Sequence, residues 1–169
     1  NLLSQIKPDN MSKEYYLTEV VEIAYKNNLK TDLIYIDEQE ILGVNSREDL
    51  ALAEKIIQTK LRHFFLNKGV TLIDPETNYF SYDTIIKKDV TIFPNVFIGE
   101  GVKIDSGSSI LSFCHLENCY IKKNVSVGPF ARIREGSEIG DEAKVGNFVE
   151  TKKAKLGKGA KASHLTYLG

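Results

Sequence analysis

Cysteine is scarce in this 169-residue chain: Cys114 and Cys119 are its whole thiol inventory. Their spacing carries no zinc-ligand pattern, so both read as core or coil-corner residues. No signal-like segment opens the sequence. Together with the two thiols, that leads us to expect a reducing, cytoplasmic compartment. Long apolar runs are lacking too, and nothing approaches the ~20 residues of a membrane span. Net charge is only −1, so no global field points to nucleic acid or a membrane surface. The chain has 42% hydrophobic and 27% charged residues, as expected of a soluble globular protein. One stretch leans basic: Arg132 to Lys161 holds eight Lys/Arg against five Asp/Glu. Such a stretch suits a phosphorylated small molecule or a merely solvated surface.

Asn1 is no initiator, and Tyr167-Leu168-Gly169 falls inside a repeat. Both ends therefore read as cut from a longer polypeptide. Residues 1–45 read as α/β. Thr18 is placed to cap a helix through Val20, Val21, Ile23 and Ala24 that ends near Asn27-Asn28. Leu33-Ile34-Tyr35-Ile36 reads as a short strand. The segment is too small to bury a useful core by itself. Residues 46–69 predict a linker helix. Ser46 with Asp49 forms a capping-box pattern, and Leu50, Ala53, Ile57, Leu61 and Phe64 recur at helical spacing. Gly69 stands where a C-terminal left-handed residue is expected.

From about Ile86 the period becomes six. Ile86, Ile92, Ile98, Ile104, Ile110 and Leu116 share one register. After a one-residue slip it resumes at Ile121, Val127, Ile133, Ile139 and Val145. Four residues after each comes a small or branched side chain, as at Val90, Val96, Ser108, Cys114, Ala131 and Val149. Glycine often follows the first position, at Gly99, Gly128, Gly140, Gly146 and Gly157, which suggests tight turns at positive φ. A period of six fits neither an α-helix nor an alternating strand. It fits a parallel β-helix whose triangular coils take three short strands each, so residues 70–169 are expected to form about five such coils.

Function is expected where the repeat breaks. Val145 to Leu156 is eleven residues, not twelve, and Asn147 to Lys153 interrupts the register. His164 follows, with Arg134, Lys152, Lys153 and Tyr167 at distances near multiples of one coil. An imidazole can take a proton from an amine near neutrality. His63 on the helix and His115 at a coil position read as structural.

Four strings here are Gly128-Pro129-Phe130-Ala131-Arg132-Ile133-Arg134, Val145-Gly146-Asn147-Phe148-Val149-Glu150-Thr151-Lys152-Lys153, Leu156-Gly157-Lys158-Gly159 and His164-Leu165-Thr166-Tyr167-Leu168-Gly169. In sequence and spacing they resemble the acetyltransferase domain of the bifunctional GlmU family. Upstream, Glu14-Tyr15-Tyr16-Leu17-Thr18-Glu19 and Gly43-Val44-Asn45-Ser46-Arg47 are similar to the end of that family's uridyltransferase domain.

The resemblance implies a left-handed β-helix, preceded by a linker helix and an α/β remnant of a nucleotidyltransferase domain. It implies acetyl transfer from acetyl-CoA to glucosamine 1-phosphate, then uridyl transfer from UTP to give UDP-N-acetylglucosamine. By the same resemblance His164 is the general base, with Glu150 orienting it. Arg134, Lys152 and Tyr167 bind substrate, Asn45 is a Mg²⁺ ligand, and the assembly is a homotrimer with acetyl sites between subunits. The family's glycine-rich nucleotide loop, its second Mg²⁺ ligand and its acetyl-CoA contacts have no counterpart here, so the chain alone is expected to be inactive. The segment before Gly128 reads about one coil short. Glu135 stands in place of proline and Ser163 in place of glycine. A non-catalytic hexapeptide-repeat scaffold or regulatory subunit is the alternative, and the set Arg134, Lys152, His164 and Tyr167 argues against it. A sugar-nucleotide-binding module would need more than residues 1–45.

Overall fold

The computed structural model describes residues 1–169, which divide into two compact units, Asn1–Leu42 and Gly43–Gly169. The first unit has a helix, α1 (Glu19–Lys26), and short 3₁₀ turns at Leu3–Gln5 and Glu38–Glu40. Its buried hydrophobic residues are Ile6 and Ala24 alone, in line with the small core expected. Thr18 does precede α1, but its own backbone is helical (φ −60°, ψ −26°) and its hydroxyl makes no capping bond. A capping side chain needs an extended backbone to reach the N–H groups of the first turn. The strand expected at Leu33–Ile36 is absent. No second strand lies alongside to complete a ladder, and Ile34 and Tyr35 are 85% and 91% exposed.

The second unit opens with α2 (Arg47–Asn67). Its capping box is complete: Ser46 Oγ accepts from the Asp49 N–H at 3.0 Å, and the Asp49 carboxylate accepts from the Ser46 N–H at 2.9 Å. Gly69 follows the helix at φ +82°, in the left-handed region as expected. The face turned to the core is Gln58, Leu61 and Phe65, whereas Leu50 and Phe64 are about half exposed. Phe65 packs on Phe80 with ring centroids 4.9 Å apart. The Gln58 side-chain amide donates to the Phe80 carbonyl (2.7 Å) and accepts from the Phe80 N–H (2.9 Å). It thereby satisfies the edge of the first coil, which has no preceding strand.

Residues from Thr71 onward form a left-handed parallel β-helix with three sheets of six, six and five strands. Sheet A runs from Thr71–Leu72 to Lys161–His164, sheet B from Tyr79–Phe80 to Tyr167–Leu168, and sheet C from Ile85–Ile86 to Lys155–Leu156. Most strands are two residues long, one side chain in and one out. The inward positions are the period-six residues, and Ile92 through Val145 on that register are essentially inaccessible. The small residues four positions later are buried as well, from Val90 to Val149. The β-helix has its first strand at Thr71–Leu72, although the period of six is visible in the sequence only from Ile86. Thr71 pairs with Thr91 across twenty residues because a 3₁₀ turn at Pro75–Thr77 lengthens the first coil and hides its period.

The glycine expectation needs correcting. The left-handed corner positions, one residue before each small buried side chain, are mostly held by other residues, including Asp89, Asn95, Phe113, Asn124 and Glu142. Among the glycines after inward positions, only Gly128 has positive φ. Gly140 and Gly146 are instead required by close coil-to-coil approach. A Cβ on Gly140 would lie 2.6 Å from the Leu156 carbonyl oxygen, and one on Gly146 would overlap that of Ser163. Cys114 and Cys119 are buried, and burial pushes their thiols up to about 11 and about 12, so both stay protonated fillers of the core.

Candidate active site

Of the residues singled out from the sequence, Arg134, Glu150, Lys152, His164 and Tyr167 lie on sheet B and its two corners, whereas Asn45 precedes helix α2. Arg132, Glu150 and Tyr167 point outward from three stacked strands: Arg132 pairs with Glu150 and Glu150 with Tyr167. Two residues beyond Arg132 and Glu150 come Arg134 and Lys152, one coil apart at the corner leading to sheet C. The backbone fixes that stack, since the Arg134 N–H donates to the Thr151 carbonyl and the Lys152 N–H to the Leu168 carbonyl.

The side chains there form an ion-paired cluster. Arg134 Nη1 donates to Glu150 Oε1 at 2.8 Å. Glu135 reaches both cations, with 3.2 Å to Lys152 Nζ and 3.7 Å to Arg134 Nε. Glu150 hydrogen bonding, with the nearby Glu135 and Glu150 charges, raises the Arg134 guanidinium pKa. Arg134 and Lys152 keep 29% and 35% of their side-chain surface, so a ligand can reach them.

His164 lies at the other corner, where sheet A gives way to sheet B. It ends the strand Lys161–His164 and pairs with Asn147, the last residue of Lys144–Asn147. These two four-residue strands are longer than the others, but the step from Val145 to Thr151 is still six residues, so the break seen in the sequence lies at the next corner, where the step from Thr151 to Leu156 is only five. The imidazole is exposed. The face of sheet B carrying Glu150 and Tyr167 separates it from Arg134 and Lys152. The Glu150 carboxylate, on that face, accepts from Arg134 Nη1. Two neighbours escaped the sequence reading. Asn147 is 17 positions before His164, a spacing set by the shortened corner between Thr151 and Leu156. A ridge of exposed rings, Phe113, Phe130 and Phe148, stacks at 4.9 and 5.1 Å along the corner.

The family described as bacterial transferase hexapeptide (six repeats) matches residues 118–153. Bifunctional protein GlmU of Wolbachia pipientis wMel is 48% identical over 168 residues, covering 99% of this chain and 39% of that protein. GlmU of Gluconobacter oxydans (strain 621H) is 52% identical over 167 residues, 99% of this chain and 37% of that protein. The chain is a homologue of GlmU. It spans 36–39% of the length of the curated GlmU relatives it matches. Among solved structures, the acetyltransferase domain of PglB from Neisseria gonorrhoeae FA1090 aligns over 66% of this chain and 59% of that one, with 13% identity and a TM-score of 0.42.

The residues present do not make up a Mg²⁺ site. Asn45 is exposed, and the neighbouring Asp49 carboxylate is engaged by the backbone N–H groups of Asn45 and Ser46. No cluster of three His, Cys, Asp or Glu side chains is placed to hold a metal ion.

Proposed function

We propose that the chain carries the amino-sugar half of a GlmU-type acetyltransferase site, which moves an acetyl group from acetyl-CoA to glucosamine 1-phosphate. The observation that carries this reading is the pair of accessible cations, Arg134 and Lys152, stacked one coil apart beside Tyr167, with His164 across the same face. Two stacked cations match a phosphomonoester, which bears ~1.5–2 negative charges. His164 takes the proton released as the sugar amine attacks the thioester carbonyl, and the coenzyme thiolate leaves. Glu150 holds Arg134 in place through its 2.8 Å bond. Tyr167, on the strand beside Glu150, orients the sugar.

His164 and the cation pair occupy opposite edges of one face, an arrangement that suits a site shared between copies in a homotrimer. Uridyl transfer from UTP, giving UDP-N-acetylglucosamine, belongs in this reading to a larger protein of which residues 1–45 are a remnant. Asn45 would serve Mg²⁺ there only with ligands from outside this chain. The compartment is the cytoplasm, and the isolated chain is inactive. A non-catalytic scaffold is the alternative, and an accessible base, cation pair and tyrosine on one face weigh against it.

Thiol release from acetyl-CoA with glucosamine 1-phosphate tests the reading, in this chain and in a chimera extended by the later coils of a GlmU relative. The chimera turns over and His164→Ala abolishes turnover. Arg134→Ala or Lys152→Ala raises KM roughly tenfold or more, as loss of a charge-assisted contact does. Full activity in the His164 variant would remove the base, and a silent chimera would leave the scaffold.

A further inference from the structure

The cation pair is already occupied by an acid of its own chain. Glu135 spans the gap with one carboxylate oxygen toward each partner: Oε1 lies 3.2 Å from Lys152 Nζ and Oε2 3.7 Å from Arg134 Nε. Two oxygens of a bound phosphate would take up the same bridging position. Glu150 engages the remaining side of Arg134, so two acids face two bases and the charges of these four side chains cancel. Glu135 keeps 42% of its side-chain surface and sits at a corner, so the carboxylate can swing out into water.

We propose that Glu135 is a built-in counter-ion that bridges Arg134 and Lys152 in the empty site and must be displaced by an incoming phosphate. The inference rests on the phosphate-binding reading above. Glu135 is a positioning residue, because it acts through the two cations. It bridges the two cations when no ligand is bound, and it lowers ligand affinity by competing for the same donors. The carboxylate stays ionised across the neutral range. Its own backbone N–H and then the Lys152 ammonium hold it below the ordinary carboxylate value, so the competition persists at any working pH near neutrality.

Glu135→Gln keeps the shape and removes the charge. Titration of the chain with glucosamine 1-phosphate and with inorganic phosphate, followed by NMR, separates the outcomes. Binding of both phosphates tightens about two- to fivefold in Glu135→Gln, the range of one exposed ion pair. Glucosamine, which lacks the phosphate, binds both forms equally, a control that a merely structural effect would not respect. Glu135→Ala shifts phosphate affinity in the same direction. Unchanged or weaker phosphate binding in both Glu135 variants, with Arg134→Ala and Lys152→Ala still weakening it, would overturn the counter-ion role alone. Phosphate binding indifferent to Arg134 and Lys152 would overturn the reading of the site and this inference with it.

Discussion

Single residues decide how tightly the coils stack beside the site. Gly146 lies within the strand Lys144–Asn147, directly against Lys161–His164, and its missing Cβ is what lets the Ser163 carbonyl approach. The sequence pattern marks this glycine but misassigns its purpose, since turn geometry and close approach leave the same mark. The two readings part in mutants. Gly146→Ala must push the His164 strand away and should cost on the order of 1–3 kcal/mol in urea unfolding, the range for overpacking a close contact. Gly157→Ala, where an added Cβ meets nothing within 4 Å, should leave the unfolding midpoint unchanged. Equal effects at the two sites would show that the strand can shift freely. The charge cluster was only partly legible at this scale. Arg134 and Lys152 announce themselves by coil spacing, whereas the Glu135 bridge and the Glu150–Arg134 bond depend on side-chain direction, which no periodicity encodes.

Elements with local rules were legible, and elements that need a distant partner were not. Helix α2 was readable at both ends because a capping box and a left-handed glycine act within four residues. Leu33–Ile36 has the composition of a strand, yet a strand exists only by pairing, and composition cannot supply the pair. The capping box makes a pH prediction. The Asn45 backbone N–H, then the Ser46 side chain, hold the Asp49 carboxyl below its ordinary value near 3.8. A depressed carboxyl stabilises the fold fully above its unfolded pKa and loses that contribution as pH falls through the folded value. Asp49→Ala should therefore melt below the parent chain at neutral pH, and the gap should narrow once the pH drops beneath 3.8. Thermal melts at about pH 7 and about pH 2.5 measure it. A gap that stays constant would assign the loss to packing or helix propensity instead of charge.

At the scale of the whole chain, a solenoid shares its stability between neighbouring coils. Ile121 is inaccessible in sheet C, with strands on both sides, while Leu156 sits on the edge strand of the same sheet and is half-buried. Ile121→Ala should cost about 2–5 kcal/mol, and Leu156→Ala less than half as much. Amide exchange should follow the same gradient, slowest from Ile98 to Leu116 and fastest from Lys155 onward. The candidate site straddles that gradient: Arg134 stands on a well-covered coil, whereas His164 and Tyr167 stand on the last strands. If the site takes glucosamine 1-phosphate as proposed, the ligand ties the weak coil to the strong one through Arg134, Lys152 and Tyr167. Saturating ligand should then slow exchange at Tyr167 and Leu168 and leave Ile98 as it was. Protection confined to Arg134 and its neighbours would place the ligand on one coil and exclude Tyr167 from the site.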